Sequence, residues 1–152
     1  MTLSRSILSL LVAVFLSACS ESGTDPGNGN GGGDVREIVA NPSFATHINE
    51  ILERTGCTAA GCHGAGGGGA TQTGLVLEAG SAANYAQLFN VASSQQPTIL
   101  RVDPGDAANS YLIIKLQANP PSGLRMPRNG TPLDNIDMTN IMNWINNDAP
   151  NN

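Results

Sequence analysis

Three side chains between positions 57 and 63 have the types and the order for covalent cofactor chemistry: Cys57, Cys62 and the adjacent His63, followed by Gly64. Two thiols can add to the vinyl groups of a porphyrin, and an imidazole directly after the second thiol can bind its iron. The usual form of this pattern separates the cysteines by two residues. Here the separation is Thr58-Ala59-Ala60-Gly61. The iron then calls for a second axial ligand, and Met126, Met138, Met142 and His47 are the candidates. Met138 and Met142 fall on an apolar helical stripe and read most simply as core. His47 sits beside Phe44 and Ile48 and reads first as a boundary residue. Met126 stands among Pro120, Pro121, Pro127 and Pro132. Proline fixes φ and lacks an N–H, so this stretch is expected to be an irregular loop with no stripe for Met126 to join. Its thioether is therefore the predicted partner of His63. A His/Met pair raises the reduction potential relative to two histidines and fills both axial positions, which suits electron transfer.

Other chemistries compete for the same residues. Cys57 and Cys62 are also placed to form a disulfide in an oxidising compartment, which would leave His63 idle. Zinc would need Cys57, Cys62, His63 and His47, with two adjacent residues reaching one small ion. A haem peroxidase or sensor needs an open distal position, and so needs Met126 off the iron. With two histidines in the chain, no Ser/His/Asp set is evident.

Two amphipathic segments bracket these residues. Asn41-Pro42-Ser43 reads as a helix start, and Phe44, Ile48, Ile51 and Leu52 form one stripe that leads through Gly56 into Cys57. Met138, Ile141, Met142 and Ile145 form a second stripe after Leu133-Asp134, with Trp144 at its edge and Asp148-Ala149-Pro150 as its stop. Between them the glycine run 64–69 reads as a mobile surface loop. No strand precedes it and no Gly-Lys-Ser/Thr follows, which excludes a phosphate loop. Gly74-Leu75-Val76-Leu77 reads as a short apolar segment lining a pocket. Ser81 is placed to cap a helix carrying Tyr85, Leu88 and Phe89, and a further helix is expected from about 107 to 116.

Residues 1–18 have a charged start, an apolar run and a small-residue end, the grammar of a secretory signal. Leu16-Ser17-Ala18-Cys19 resembles the lipobox of bacterial lipoproteins, which makes Cys19 the lipid attachment site. Multiple acyl chains on one residue anchor stably where one would not. Ser20 in place of an aspartate favours the outer membrane by enterobacterial sorting rules. Residues 20–34 are rich in Gly and Asn with no apolar period, a tether with a span of roughly 20 Å. The expected organisation is a signal peptide over 1–18, a lipidated cysteine and linker over 19–40, and a haem domain over 41–150. Formal net charge is −5 with no basic stripe, which excludes nucleic acid as a partner class and favours basic protein surfaces. Aromatic residues make up 4% of the chain. A core this thin would gain from a buried porphyrin.

Taken together, Cys57…Cys62-His63-Gly64, Gly74-Leu75-Val76-Leu77, Asp103-Pro104-Gly105-Asp106 with Ser110-Tyr111-Leu112, Arg125-Met126-Pro127 with Gly130 and Leu133, and Trp144-Ile145 resemble the class I c-type cytochrome domains of bacterial and planctomycete type. The resemblance covers about residues 43 to 150. It implies an all-α fold, a small cytochrome c-like helical domain around one covalent haem c. It also implies crossing terminal helices, a Met-Pro loop that supplies the distal sulfur, and redox proteins as partners. Arg125 is read first as solvated and second as a partner for a haem propionate.

Overall fold

The two stripes become the two ends of the core. In the computed structural model, which describes residues 36–152, the first stripe opens as a π-helical turn over Phe44–Ile48 and continues as α1, Asn49–Arg54. The N-terminal amides of this segment are met by Asn152, whose side-chain oxygen accepts from the Phe44 N–H at 3.0 Å. Three short helices follow, α2 (Gly68–Thr73), α3 (Asn84–Leu88) and α4 (Tyr111–Leu116), before the longer α5 (Asn135–Asn146). Phe44, Ile48, Ile51 and Leu52 meet Ile141, Trp144 and Ile145 of α5 in one buried cluster, completed by Leu77, Leu88, Val102 and Ile113. Trp144, expected at the edge of its stripe, is fully buried. Its ring lies 5.3 Å from that of Phe44, and its indole N–H donates to the Pro150 carbonyl at 3.0 Å. A large aromatic ring with its one donor satisfied is well suited to a core centre.

The expectation of an all-α, cytochrome c-like helical domain is overturned. Helix accounts for 34% of the structure and strand pairing for 3%, and the remainder is turn and coil. Helices α1 to α4 have five or six residues each. Isolated helices below about 12–15 residues are marginal in water, so these four hold only where tertiary contacts support them. The chain between them is broken by left-handed residues, among them Asn90, Asn119 and Asn129. Its backbone groups are satisfied by turns and by two isolated bridges, Phe89 with Val102 and Ala92 with Leu100. The helix expected from about 107 begins only at Tyr111. Upstream, the Ser110 hydroxyl donates to the Asp106 carbonyl at 2.9 Å and accepts from the Asp103 N–H at 2.8 Å, which closes a turn instead. The helix expected after Ser81 ends at Leu88 and leaves Phe89 extended.

The signal peptide over 1–18, Cys19 and the linker up to residue 35 lie outside the described residues. The end of the expected linker is laid along α5. The Asn140 side chain accepts from the Val39 N–H at 2.8 Å and donates to the Glu37 carbonyl at 2.9 Å. Asn143 donates to the Val39 carbonyl and Asn147 to that of Ala40, each at 2.8 Å. Arg36 reaches the carboxylates of Asp134 and Asp137. Among the described residues no helix is long and apolar enough to cross a membrane.

Candidate functional site

Cys57 is positioned by the way α1 stops. Gly56 takes φ +79°, where glycine carries no side-chain penalty. Its N–H donates to the Glu53 carbonyl at 3.0 Å, and the Cys57 N–H donates back to Leu52 at 2.9 Å. This pair of bonds is the Schellman motif, and it fixes the backbone of Cys57 to the end of the helix. The four intervening residues are then coiled into a turn. Cys62 N–H donates to the Ala59 carbonyl at 2.8 Å, His63 N–H to that of Cys57 at 3.0 Å, and Gly64 N–H to that of Ala59 at 3.0 Å. Both thiols are free, Cys57 partly buried and Cys62 exposed. Burial pushes the Cys57 thiol above its ordinary value.

The glycine run is packed against this turn and does not form the mobile surface loop expected of it. Gly69 and Ala70 both donate N–H bonds to the Cys62 carbonyl, at 2.8 and 3.1 Å. A Cβ at Gly64 would fall 2.7 Å from the Thr58 carbonyl oxygen, and one at Gly67 would fall 2.5 Å from that of Cys62. At Gly69 it would lie 2.8 Å from the Cys62 oxygen and 3.1 Å from the His63 ring. The run is glycine because backbone passes directly over backbone.

His63 is held at two points by the segment after α2. The Leu77 N–H donates to the His63 carbonyl at 2.8 Å, and the His63 Nδ1 lies 3.1 Å from the Leu75 carbonyl oxygen. A carbonyl only accepts, so Nδ1 carries the proton and Nε2 keeps its lone pair. This is the arrangement that orients a metal-binding imidazole from its outer side. Burial, followed by the Arg101 and Lys115 cations, lowers the His63 pKa, and the Leu75 bond opposes that shift. The ring is therefore neutral near pH 7, the form that binds a metal.

Cys57, Cys62, His63 and Met126 line a single cavity of about 580 Å³, within the ~300–1,000 Å³ range of small-molecule and cofactor sites. Leu52, Leu77, Leu88 and Leu116 form much of its apolar wall. Its charged lining is Arg101, Lys115 and Arg128, and among the described residues no Asp or Glu faces it. In a chain with twelve acidic and seven basic residues, an all-cationic lining is informative. It suits a large apolar occupant that carries carboxylates, and haem is such a group. Arg101 is held in place by bonds to the Gln87 and Thr73 carbonyls at 2.8 and 2.9 Å.

No known family, no curated protein and no solved structure matches this chain.

The remaining candidates lie elsewhere. His47 does not line the cavity; its Nδ1 accepts from the Ser43 N–H at 3.0 Å, which makes it a local helix cap. Met138 and Met142 pack against the core. Among the described residues no three His, Cys, Asp or Glu side chains converge as zinc would require. Arg125 is outside the lining, and Arg101, Lys115 and Arg128 stand where it was considered. Sequence reasoning missed the Leu75 carbonyl, Arg101 and Lys115. Leu75 and Leu77 line the cavity, as the apolar segment 74–77 suggests in sequence, but nothing there signals the carbonyl bond to His63. A backbone acceptor has no residue signature, and Arg101 and Lys115 reach the site from loops and a short helix without a periodic pattern.

Proposed function

We propose that this chain carries one covalent haem c and passes single electrons at the cell envelope, held to the membrane by a lipid on Cys19. The observation that carries this reading is the common cavity of Cys57, Cys62, His63 and Met126, apolar in its walls and cationic in its charges. When bound, haem supplies a reversible one-electron couple at its iron. Cys57 and Cys62 would hold the porphyrin through thioether bonds. His63 would offer Nε2 to the iron, with Nδ1 tied to Leu75, and Met126 would offer its sulfur. Leu52, Leu77, Leu88 and Leu116 keep water from the ring faces. Arg101, Lys115 and Arg128 give carboxylates a favourable wall. If both His63 and Met126 bound the iron, no position would be left for a substrate, which would suit a carrier rather than an enzyme. Redox proteins with basic surfaces are the expected partners of this acidic chain.

The test is expression of the full chain in a host with haem-ligation machinery, followed by intact mass and a pyridine haemochrome assay. One haem per chain is expected, with a six-coordinate low-spin ferric spectrum and a weak far-red methionine band. Met126→Ala should retain the haem, lose that band and open the iron to cyanide. A colourless chain without added cofactor mass would sink the reading and favour a disulfide-braced envelope module; haem with an exchangeable distal position would favour a sensor or peroxidase.

A further inference from the structure

The chain has one lysine, and it is buried. Lys115, on α4, is 8% exposed. Among the described residues it forms no ion pair with a carboxylate. A buried ammonium without an opposite charge needs strong hydrogen-bond acceptors. Its Nζ has two: the Ser122 carbonyl at 2.8 Å and the Leu124 carbonyl at 2.7 Å. Its own backbone carbonyl accepts from the Met126 N–H at 2.8 Å. Between the two Nζ acceptors lies Gly123 at φ +65°, where a Cβ would come within 3.5 Å of Nζ. Segment 122–126 is thus wrapped around one side chain and bonded to it from both sides. The same segment brings Leu124 and Met126 into the lining of the cavity, which Lys115 also lines.

We infer that Lys115 is the positioning residue for Met126. It holds the proline-rich loop so that the methionine sulfur is presented to the cavity. This inference rests on the haem reading above. The loop lacks a helix or a strand ladder of its own, so the placement of Met126 depends on contacts from outside the loop. A charge-assisted bond is roughly twice as strong as a neutral one, and here two converge two and four residues before Met126. Lys115 need not touch the cofactor to act. Its effect reaches the iron position through the backbone of Leu124, Arg125 and Met126.

The experiment has two arms. Lys115→Met keeps the length and apolar stem and removes every donor. The variant should retain one haem per chain by pyridine haemochrome. It should lose the far-red methionine band and bind cyanide at least tenfold faster than the native chain, and its amides over 122–126 should exchange at least tenfold faster while those of α5 are unchanged. A variant with native haem content whose band, cyanide rate and amide exchange all match the native chain overturns the inference. The second arm needs no substitution and stands if the variant does not fold. In the native chain labelled uniformly with ¹³C and ¹⁵N, the single lysine ammonium signal should persist in slow exchange, with couplings across hydrogen bonds to the Ser122 and Leu124 carbonyl carbons. An ammonium that exchanges as fast as one on the surface overturns the clamp. This second arm reads the clamp with or without cofactor, whereas a chain without haem fails the functional reading alone.

Discussion

The glycines beside the Cys-Cys-His turn show how strongly single residues constrain this site. A methyl group at Gly67 would meet the carbonyl oxygens of Cys62 and Ala60 at 2.5 and 2.6 Å. Both are backbone atoms tied into the turn that carries the two thiols, so neither can move aside alone. Overpacking of this kind costs about 1–3 kcal/mol. Gly67→Ala should therefore lower the unfolding free energy of the haem-free chain by that amount, read as a lower urea midpoint at constant slope. Gly61→Ala is the control: nothing lies within 4 Å of its Cβ, so its effect should stay within about 0.5 kcal/mol. Equal midpoints for the two variants would show that the close approach of residues 60–62 and 67 is absent in solution. The type and order of Cys57, Cys62 and His63, and the proline-rich setting of Met126, make these four the candidates in the sequence, and the fold brings all four to one cavity. What surrounds them is not legible in the sequence. A glycine run looks the same in sequence whether it is loose or pressed against a carbonyl, because the missing side chain is the only signal in both cases.

At the scale of elements, legibility followed length. The stripes Phe44-Ile48-Ile51-Leu52 and Met138-Ile141-Met142-Ile145 are visible because each runs for about two turns; all of these residues are buried except Met138 and Met142, which are half-buried against the core. Helices of five or six residues give a 3.6-residue period too little room to repeat: α3 and α4 are shorter than their patterns suggest, and α2, Gly68–Thr73, starts inside a glycine run that reads as loop. The start of α5 was legible by another route, since an aspartate before an apolar run is a capping signal. The Asp134 carboxylate accepts from the Asp137 N–H at 3.0 Å and pairs with Arg36 at 2.8 Å. These two partners, the amide first, hold its pKa below the ordinary carboxyl value. A carboxyl group with a lower pKa when folded stabilises fully above its unfolded value of about 3.9, and that stabilisation is lost as pH falls through the folded value. Asp134→Ala should cost about 1 kcal/mol at neutral pH and flatten the acid limb of stability. Asp134→Asn keeps a capping oxygen, so it should cost less at neutral pH and flatten the acid limb equally. Urea midpoints measured from about pH 7 down to pH 2 separate the two; an acid limb unchanged in both variants would remove Asp134 from the account.

At the scale of the molecule, core and cavity are one structure. Leu52, Leu77, Leu88 and Leu116 belong to the buried cluster and also form cavity wall. The chain has few aromatic side chains to fill such a volume, with Phe, Tyr and Trp at 4% of the sequence. An apolar macrocycle seated among these leucines would extend the core across the cavity, and its covalent bonds to Cys57 and Cys62 would tie it to the end of α1. Apolar burial contributes about 25 cal/mol per Å², so the loaded chain should exceed the haem-free chain in stability by several kcal/mol. For a domain of about a hundred residues, 1 kcal/mol shifts the unfolding midpoint by about 4–8 °C. The double variant Cys57→Ser/Cys62→Ser, which cannot form thioethers, should therefore unfold on the order of 10 °C or more below the loaded native chain. It should also bind more of a hydrophobic dye, because the leucine wall is then open to solvent. The same variant separates the competing readings of the two thiols. If they only form a disulfide across a short loop, the native chain should lose the same stability on treatment with a reductant. If they hold a porphyrin, the same reductant should not lower the native midpoint, since thioether bonds are not reduced by thiols.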